Sequence, residues 1–144
     1  MKPYVSSHLK DMNRRNVYEL LCKMEETSKA ELSHITGISP PTVMKIIQFL
    51  AEKELVTELG KGEAALGRKP QMLRLNKNRY YFIGAIHEGD FLRVGISNLK
   101  NELVALKKIR VHADFKRTME ETLFQVINEL LVENEVYLSD VLGI

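Results

Sequence analysis

The residues best suited to chemistry lie on one face of the segment 39–53. If this segment is a helix, its apolar side chains fall at i, i+3, i+4, i+7 and i+8, namely Val43, Ile46, Ile47, Leu50 and Ala51. The opposite face then carries short polar and cationic groups: Pro41, Thr42, Lys45, Gln48 and Glu52. Groups of this kind bind the phosphates and base edges of duplex DNA. We therefore predict that this face lies in the major groove, with Thr42, Lys45 and Gln48 touching DNA.

The start of the same helix has its own signals. Ser39 is predicted to be the N-cap, with its hydroxyl accepting a hydrogen bond from a first-turn amide, and Pro40 fits the first helical position. Ser39 and Thr42 are also predicted to bond backbone phosphate, which the helix dipole favours. Pro41 and Met44 are predicted to contact a thymine methyl group.

A shorter helix precedes this one. Ser28 followed by Glu31 fits a capping box, in which each side chain caps the other residue's amide. Leu32 and Ile35 are predicted to face inward, and Gly37 is placed for the left-handed turn that ends a helix. A short helix, a glycine-containing turn and a second amphipathic helix together predict a helix-turn-helix.

An earlier helix is predicted from Asp11 or Asn13 to about Glu25, after a poorly ordered arm or helical lead-in at residues 1–10. Arg14 and Arg15 would then stand at the helix start, where cations oppose the dipole. Contact with DNA phosphate would explain the pair. Two solvated arginines would explain it equally well.

A hairpin follows the helices. Residues 55–59 and 72–75 read as strands, and residues 60–70 between them hold three glycines and a closing proline. This is the form of a wing, in which Arg68 and Lys69 are suited to phosphate or minor-groove contact. Neither glycine-rich nucleotide motif is present, so a phosphate loop is not expected there.

The predicted secondary structure changes from mainly helical to mainly strand after a short polar linker at residues 76–79. Strands are predicted at 80–86, 91–97 and 103–111, with a turn at 87–90, then a helix over 118–133 and the opening of a strand at 141–144. These elements make about half of an α/β layer, with one sheet face left open. The chain is therefore expected to be the front part of a larger protein, or a fragment that pairs with a partner.

Composition limits the function classes. Of the 144 residues, 44% are hydrophobic and 28% charged, which indicates a globular protein. Residues 1–79 carry 14 Lys/Arg against 9 Asp/Glu, a net +5, whereas residues 80–144 carry 7 against 10, a net −3. A basic first half suits a nucleic-acid module. No apolar run is long enough to span a membrane or form a signal core, so a cytoplasmic protein is expected.

The cysteine and histidine content argues against disulfide and metal chemistry. Cys22 is the single cysteine, which excludes an intrachain disulfide and a Cys-based zinc site in one chain. It is predicted to be an inert core thiol. The four histidines show no ligand spacing. No catalytic residue, metal or cofactor is predicted.

The first 75 residues resemble the N-terminal region of sugar-responsive repressors of the ROK family (repressor, open reading frame, kinase). The resemblance rests on five stretches in the right order and spacing: Leu9-Lys-Asp-Met-Asn-Arg-Arg-Asn-Val17, Ser28-Lys-Ala-Glu-Leu32, Thr36-Gly-Ile-Ser-Pro-Pro-Thr-Val43, Leu50-Ala-Glu-Lys-Glu-Leu-Val56 and Gly67-Arg-Lys-Pro70. It implies a winged helix-turn-helix over residues 1–79 in which 39–53 reads the major groove.

Residues 80–144 look like the first segment of that family's actin-like sugar-kinase domain. The fold class implied is α+β overall, a winged helix-turn-helix followed by an incomplete α/β actin-like, ROK-type segment. Kinase members have an Asp-x-Gly-Gly-Thr type phosphate loop, but the aligned stretch here is Ile86-His-Glu-Gly-Asp90. Only one of the paired glycines is kept, and Asp90 would repel phosphate. ATP binding at this loop is therefore not expected.

Together these features predict a transcriptional regulator, in the family's usual case a repressor of sugar-utilisation genes. It would bind a duplex operator as a homodimer, with the two recognition helices in successive major grooves. A sugar effector is expected only if the missing part of the second domain is present. Two alternatives stay open: a ROK-type sugar kinase with an added N-terminal domain, and a stand-alone module that dimerises through the open sheet face.

Overall fold

The computed structural model describes residues 4–61, 70–111 and 118–144. The chain divides into two compact units, Met1–Asn76 and Lys77–Ile144. The linker residues after Asn76 are hydrogen-bonded within the second unit, where the Leu99 amide donates to the Lys77 carbonyl (3.0 Å) and the Asn98 side chain donates to that of Asn78 (3.1 Å).

Three helices form most of the first unit: α1 (Tyr4–Lys23), α2 (Lys29–Thr36) and α3 (Pro40–Glu52). The helix begins at Tyr4 rather than at Asp11 or Asn13, so residues 4–10 adopt the helical lead-in, which was one of the two predicted alternatives, and not the poorly ordered arm. Its first two turns lack an apolar stripe, so periodicity alone did not reveal them. The later part carries the buried Val17 and Leu21, which hold α1 against the rest of the unit.

The ends of α2 follow the sequence signals closely, with one exception. The Ser28 hydroxyl accepts a hydrogen bond from the Glu31 amide (3.2 Å), as predicted. The Glu31 carboxylate, however, accepts one from the Thr27 hydroxyl (2.9 Å), whereas a capping box would have it accept from the Ser28 amide. Gly37 ends the helix in the left-handed region (φ 68°) and donates its amide proton to the Ser33 carbonyl (3.0 Å).

Replacing Gly37 with Ala is expected to destabilise the fold by about 1 kcal/mol, because an L side chain is strained at positive φ. The space around the site is open, with nothing within 4 Å of an added Cβ, so the cost is conformational. Urea unfolding followed by circular dichroism measures it. Gly60→Ala is the matched control, since that glycine has equally open space and no positive φ. Equal urea unfolding midpoints for the two variants would contradict a conformational requirement for glycine at position 37.

The core of the first unit is formed by side chains from all three helices and the strands that follow. Its buried hydrophobic members are Val17, Leu21, Leu32, Val43, Ile46, Ile47, Leu50, Val56, Leu73 and Leu75. Two side chains predicted to face inward do not: Ile35 is 51% exposed, and Ala51 is exposed near the end of α3. Both stand in the last turn or two of a helix, where the core no longer covers the stripe.

The strands of this unit are β1 (Thr27–Ser28), β2 (Val56–Lys61) and β3 (Gln71–Leu75). They make an antiparallel sheet in the order β1-β3-β2. The hairpin β2–β3 was predicted within one or two residues at its ends. β1 is too short for a periodic signal and was missed, although it pairs Thr27 with Leu73 and so ties the helix-turn-helix to the hairpin.

The second unit contains β4 (Tyr81–Glu88), β5 (Phe91–Asn98), β6 (Leu103–Arg110), α4 (Met119–Glu133), a 3-10 turn (Leu138–Asp140) and β7 (Val141–Gly143). The sheet order is β6-β5-β4-β7, antiparallel except that β7 runs parallel to β4. The predicted turn at 87–90 was too long, because β4 continues to Glu88 and the chain reverses at Gly89 (φ 56°) and Asp90.

One face of this sheet is covered by α4. The helix begins with a capping box between Thr118 and Glu121, and its buried stripe packs on β5 and β6, in a core that also includes Ile83 of β4. On the other face, exposed apolar side chains include Phe82, Ile86, Val104 and Leu106. The open face predicted for the half-layer is therefore present in the part of the chain that the structure describes.

Candidate nucleic-acid interface

The candidate recognition surface is the exposed face of α3. Burial divides the helix into two sides: Val43, Ile46, Ile47 and Leu50 are buried, while Pro41, Met44, Lys45 and Gln48 are exposed, and Thr42 is half-buried. Because the buried stripe holds α3 against the core, the opposite side chains extend away from the unit. The helix can therefore present them to a groove without disturbing the fold.

The start of α3 differs in detail from the prediction. Ser39 is the N-cap residue, but its hydroxyl accepts no hydrogen bond from a first-turn amide. Pro40 and Pro41 have no N–H to donate, and the Thr42 amide already donates to the Ser39 carbonyl (2.9 Å). The Ser39 hydroxyl is instead hydrogen-bonded to that of Thr42 (2.9 Å). Two adjacent hydroxyls thus stand at the positive end of the helix, an arrangement suited to a phosphate oxygen.

Lys45 and Gln48 differ in how firmly they are held. Lys45 is exposed and has no ion-pair partner within the described ranges. The Gln48 amide donates to the Glu52 carboxylate one turn later (3.2 Å), a solvent-exposed contact. Such a contact is easily exchanged for a better partner. Both side chains are therefore available to base edges or phosphates.

Arg14 lies in the middle of α1 and not at the helix start where it was predicted. Since α1 begins at Tyr4, Arg14 and Arg15 lie in its middle, where the helix dipole does not disfavour cations; their predicted position at the helix start was wrong. The Arg14 guanidinium lies over the Phe49 ring of α3, with Cζ 3.7 Å from the ring centroid. Its Nη1 is 3.7 Å from the Asp11 carboxylate, and the side chain is only 27% exposed. Arg14 is thus engaged within the unit.

Arg15 points to solvent. Its side chain is 79% exposed, and its Nε donates to the Glu19 carboxylate one turn later (2.8 Å). The hydrogen bond and the opposite charge raise the pKa of Arg15 and lower the pKa of Glu19. An exposed pair of this type contributes little to stability, so Arg15 can exchange Glu19 for a phosphate.

Two ion pairs between the hairpin and the segment that contains β1 and α2 were not predicted from the sequence. Lys29, which opens α2, forms an ion pair with Glu58 of β2 (2.8 Å), and Arg74 of β3 is hydrogen-bonded to Glu26. Each pair joins residues far apart in the chain, so no local spacing could have indicated it. They connect the hairpin to the helix-turn-helix. Arg68 and Lys69, predicted as wing contacts, lie outside the described residues.

Other chemistry is not assembled in the described parts of the chain. Among those residues, no three His, Cys, Asp or Glu side chains come together as a metal ion would require. Cys22 is half-buried near Tyr18. Burial, and then the hydrogen bond with Cys22, raise the pKa of Tyr18 to about 12. In the same described ranges, no helix is both long and apolar enough to cross a membrane.

A protein-family model and several curated proteins are similar in sequence to this chain. A family model described as winged helix-turn-helix DNA-binding matches residues 5–57. A xylose repressor of Bacillus subtilis (strain 168) is 24% identical over 125 residues, covering 87% of this chain and 33% of the relative. A xylose repressor of Lactiplantibacillus pentosus is 32% identical over 79 residues, covering 54% of this chain and 20% of the relative.

A solved structure is also similar. It is a ROK family transcriptional regulator described as a homologue of the E. coli MLC protein, with a TM-score of 0.63 and 24% identity. The match covers 88% of this chain and 32% of that one, so the chain spans about a third of the length of such relatives. Residues 5–57 therefore match the winged helix-turn-helix DNA-binding family, and the fold of the chain is similar to that of about a third of a ROK family transcriptional regulator.

Proposed function

We propose that this chain is the DNA-binding part of a sugar-responsive transcriptional repressor. The observation that carries the proposal is the division of α3, with four buried apolar side chains on one side and a short polar and cationic surface on the other. The xylose repressors similar to this chain support control of sugar-utilisation genes. The cytoplasm is the compartment that fits such a role.

The contact residues are proposed from their position on the first unit. Thr42, Lys45 and Gln48 read the major groove, while Ser39 bonds a phosphate at the helix start and Pro41 packs against a thymine methyl. Arg15 is proposed as a phosphate contact from α1, and Arg68 and Lys69 as contacts from the wing. Most of these groups are exposed in the described part of the chain.

The functional domains proposed are residues 1–79 for DNA binding and residues 80–144 for the start of a ROK-type actin-like domain. A homodimer is proposed, because two identical recognition helices match a two-fold operator with half-sites about one helical turn apart. In a longer protein the second domain would bind the sugar and alter the spacing of the two DNA-binding units.

A sugar-kinase activity finds less support than regulation. The hairpin that aligns with the kinase phosphate loop carries Glu88 and Asp90 at its tip. The Glu88 carboxylate is 3.5 Å from the Arg93 guanidinium, and the Asp90 carboxylate is 3.3 Å from that of Arg110. Carboxylates at this position repel a phosphate group. We therefore propose that the chain is a regulator and not an enzyme.

Selection from a random duplex library tests the proposal. The intact chain is incubated with the library, bound duplexes are amplified over several rounds, and the enriched pool is sequenced. We expect a sequence with two-fold symmetry to be enriched; the same protein should not phosphorylate common hexoses with ATP. A pool that stays random after selection, or a measurable kinase rate, would overturn the proposed function.

A further inference from the structure

The contact between Arg14 and Phe49 joins the first helix to the recognition helix. The guanidinium carbon lies 3.7 Å from the centre of the Phe49 ring, which is the distance of a stacked cation–π contact. The carboxylate of Asp11, which lies one turn earlier in α1, is 3.7 Å from Nη1 of the same guanidinium. Arg14 is therefore held from two sides.

Both ends of this contact are fixed by burial. In α1, Arg14 stands three residues before Val17, whose side chain is fully buried, so this part of α1 is anchored in the core. In α3, Phe49 is half-buried and lies between the buried stripe and the exposed face. Phe49 also follows Lys45 by four residues, which makes the two side chains neighbours on the helix surface.

This placement allows Arg14 to restrain the rotation of α3. The apolar stripe holds α3 against the core, but apolar contacts are non-directional and tolerate small rotations about the helix axis. A planar guanidinium stacked on Phe49 at the edge of the stripe resists such rotation. A rotation of α3 about its axis that separates Arg14 from Phe49 would also move Lys45 and Gln48 relative to the major groove of bound DNA.

We infer that Arg14 is a positioning residue, which sets the orientation of the recognition helix by stacking on Phe49 and thereby determines DNA sequence specificity without touching DNA. The inference rests on the proposed function. It replaces the direct phosphate contact expected for Arg14 from the sequence, because the side chain is 27% exposed and has two partners, whereas Arg15 beside it is 79% exposed.

The experiment compares four single variants and one double variant of the intact chain. Arg14→Met keeps an unbranched side chain and removes the cation, Arg14→Lys keeps the charge without the planar group, and Phe49→Leu removes the ring. Arg15→Met is the comparison for loss of a proposed phosphate contact from the same helix, and it should weaken both duplexes alike. Fluorescence anisotropy gives the affinity for the selected duplex and for a shuffled duplex at several salt concentrations, below the melting temperature of each variant.

Arg14→Met is expected to weaken binding of the selected duplex by about fivefold and to leave the shuffled duplex unchanged. Arg14→Lys should recover only part of the loss, because an ammonium lacks the flat stacking surface. Phe49→Leu should have a similar effect, and the double variant Arg14→Met, Phe49→Leu should be no weaker than the single ones, since both changes remove one contact. The salt dependence should match that of the wild type.

Two results would overturn the inference. If Arg14→Met weakens both duplexes equally and reduces the salt slope by about 0.9, Arg14 contacts a phosphate. If the variant binds both duplexes as the wild type does, the stacking has no effect on recognition. Failure of the proposed function looks different, because the wild-type chain itself would then not prefer the selected duplex over the shuffled one.

Discussion

Replacing both Lys45 and Gln48 with Ala is expected to weaken binding of the selected duplex by on the order of 100-fold while leaving the fold intact, since a specific base contact contributes about 1–3 kcal/mol. Both side chains are exposed on α3, and no core contact depends on them. The two losses act differently. Removing the Lys45 charge also lowers general affinity, whereas removing Gln48 acts on sequence preference.

Anisotropy titration and circular dichroism check this result together. Lys53→Ala is the matched control, because Lys53 is an exposed lysine just beyond the end of the same helix and is assigned no contact. It should keep nearly full affinity for the selected duplex. If the Lys45 and Gln48 variant binds as tightly as the control, α3 does not read the operator.

Leu32→Ala is expected to cost about 2–5 kcal/mol of stability, because it empties a fully buried site. A small domain has only about 5–15 kcal/mol in total, so this change removes a large share of the stability of the first unit and lowers its melting temperature. Above that lowered melting temperature the first unit is unfolded. Binding to selected and shuffled duplexes should then fall together, unlike the selective loss expected from Lys45 and Gln48. Urea unfolding followed by circular dichroism measures the change.

Ile35→Ala is the control for this second prediction. It lies one helical turn after Leu32 and removes similar apolar volume, but its side chain is 51% exposed. We expect a cost below about 1 kcal/mol for such a surface position. Similar unfolding midpoints for the Leu32 and Ile35 variants would show that burial within α2 is not distributed as described.

These two residues also illustrate what sequence can and cannot predict. Leu32 and Ile35 have the same spacing signal, but only the surrounding core decides that the first is covered and the second is not. Gly37 was predicted correctly because a left-handed residue at a helix end is a local requirement. The start of α1 at Tyr4 could not be decided from the sequence, because its first turns lack apolar periodicity.

The same distinction applies to the candidate interface. The exposed face of α3 could be predicted, since it depends on one helix and its period. The stacking of Arg14 on Phe49 could not, because the residues stand on different helices and meet only after packing. The Ser39 cap was predicted at the right residue with the wrong bond, since Pro41 has no amide proton and the Thr42 amide donates to the Ser39 carbonyl instead of the hydroxyl.

The most direct test of the central claim is the affinity of the intact chain for the selected and shuffled duplexes over a range of salt concentrations. If the first unit reads DNA, the logarithm of affinity falls steeply and linearly with the logarithm of salt for both duplexes. The selected duplex should be bound at least about 1,000-fold more tightly at physiological salt. Equal affinity for the two duplexes, or binding that does not respond to salt, would contradict a DNA-reading function.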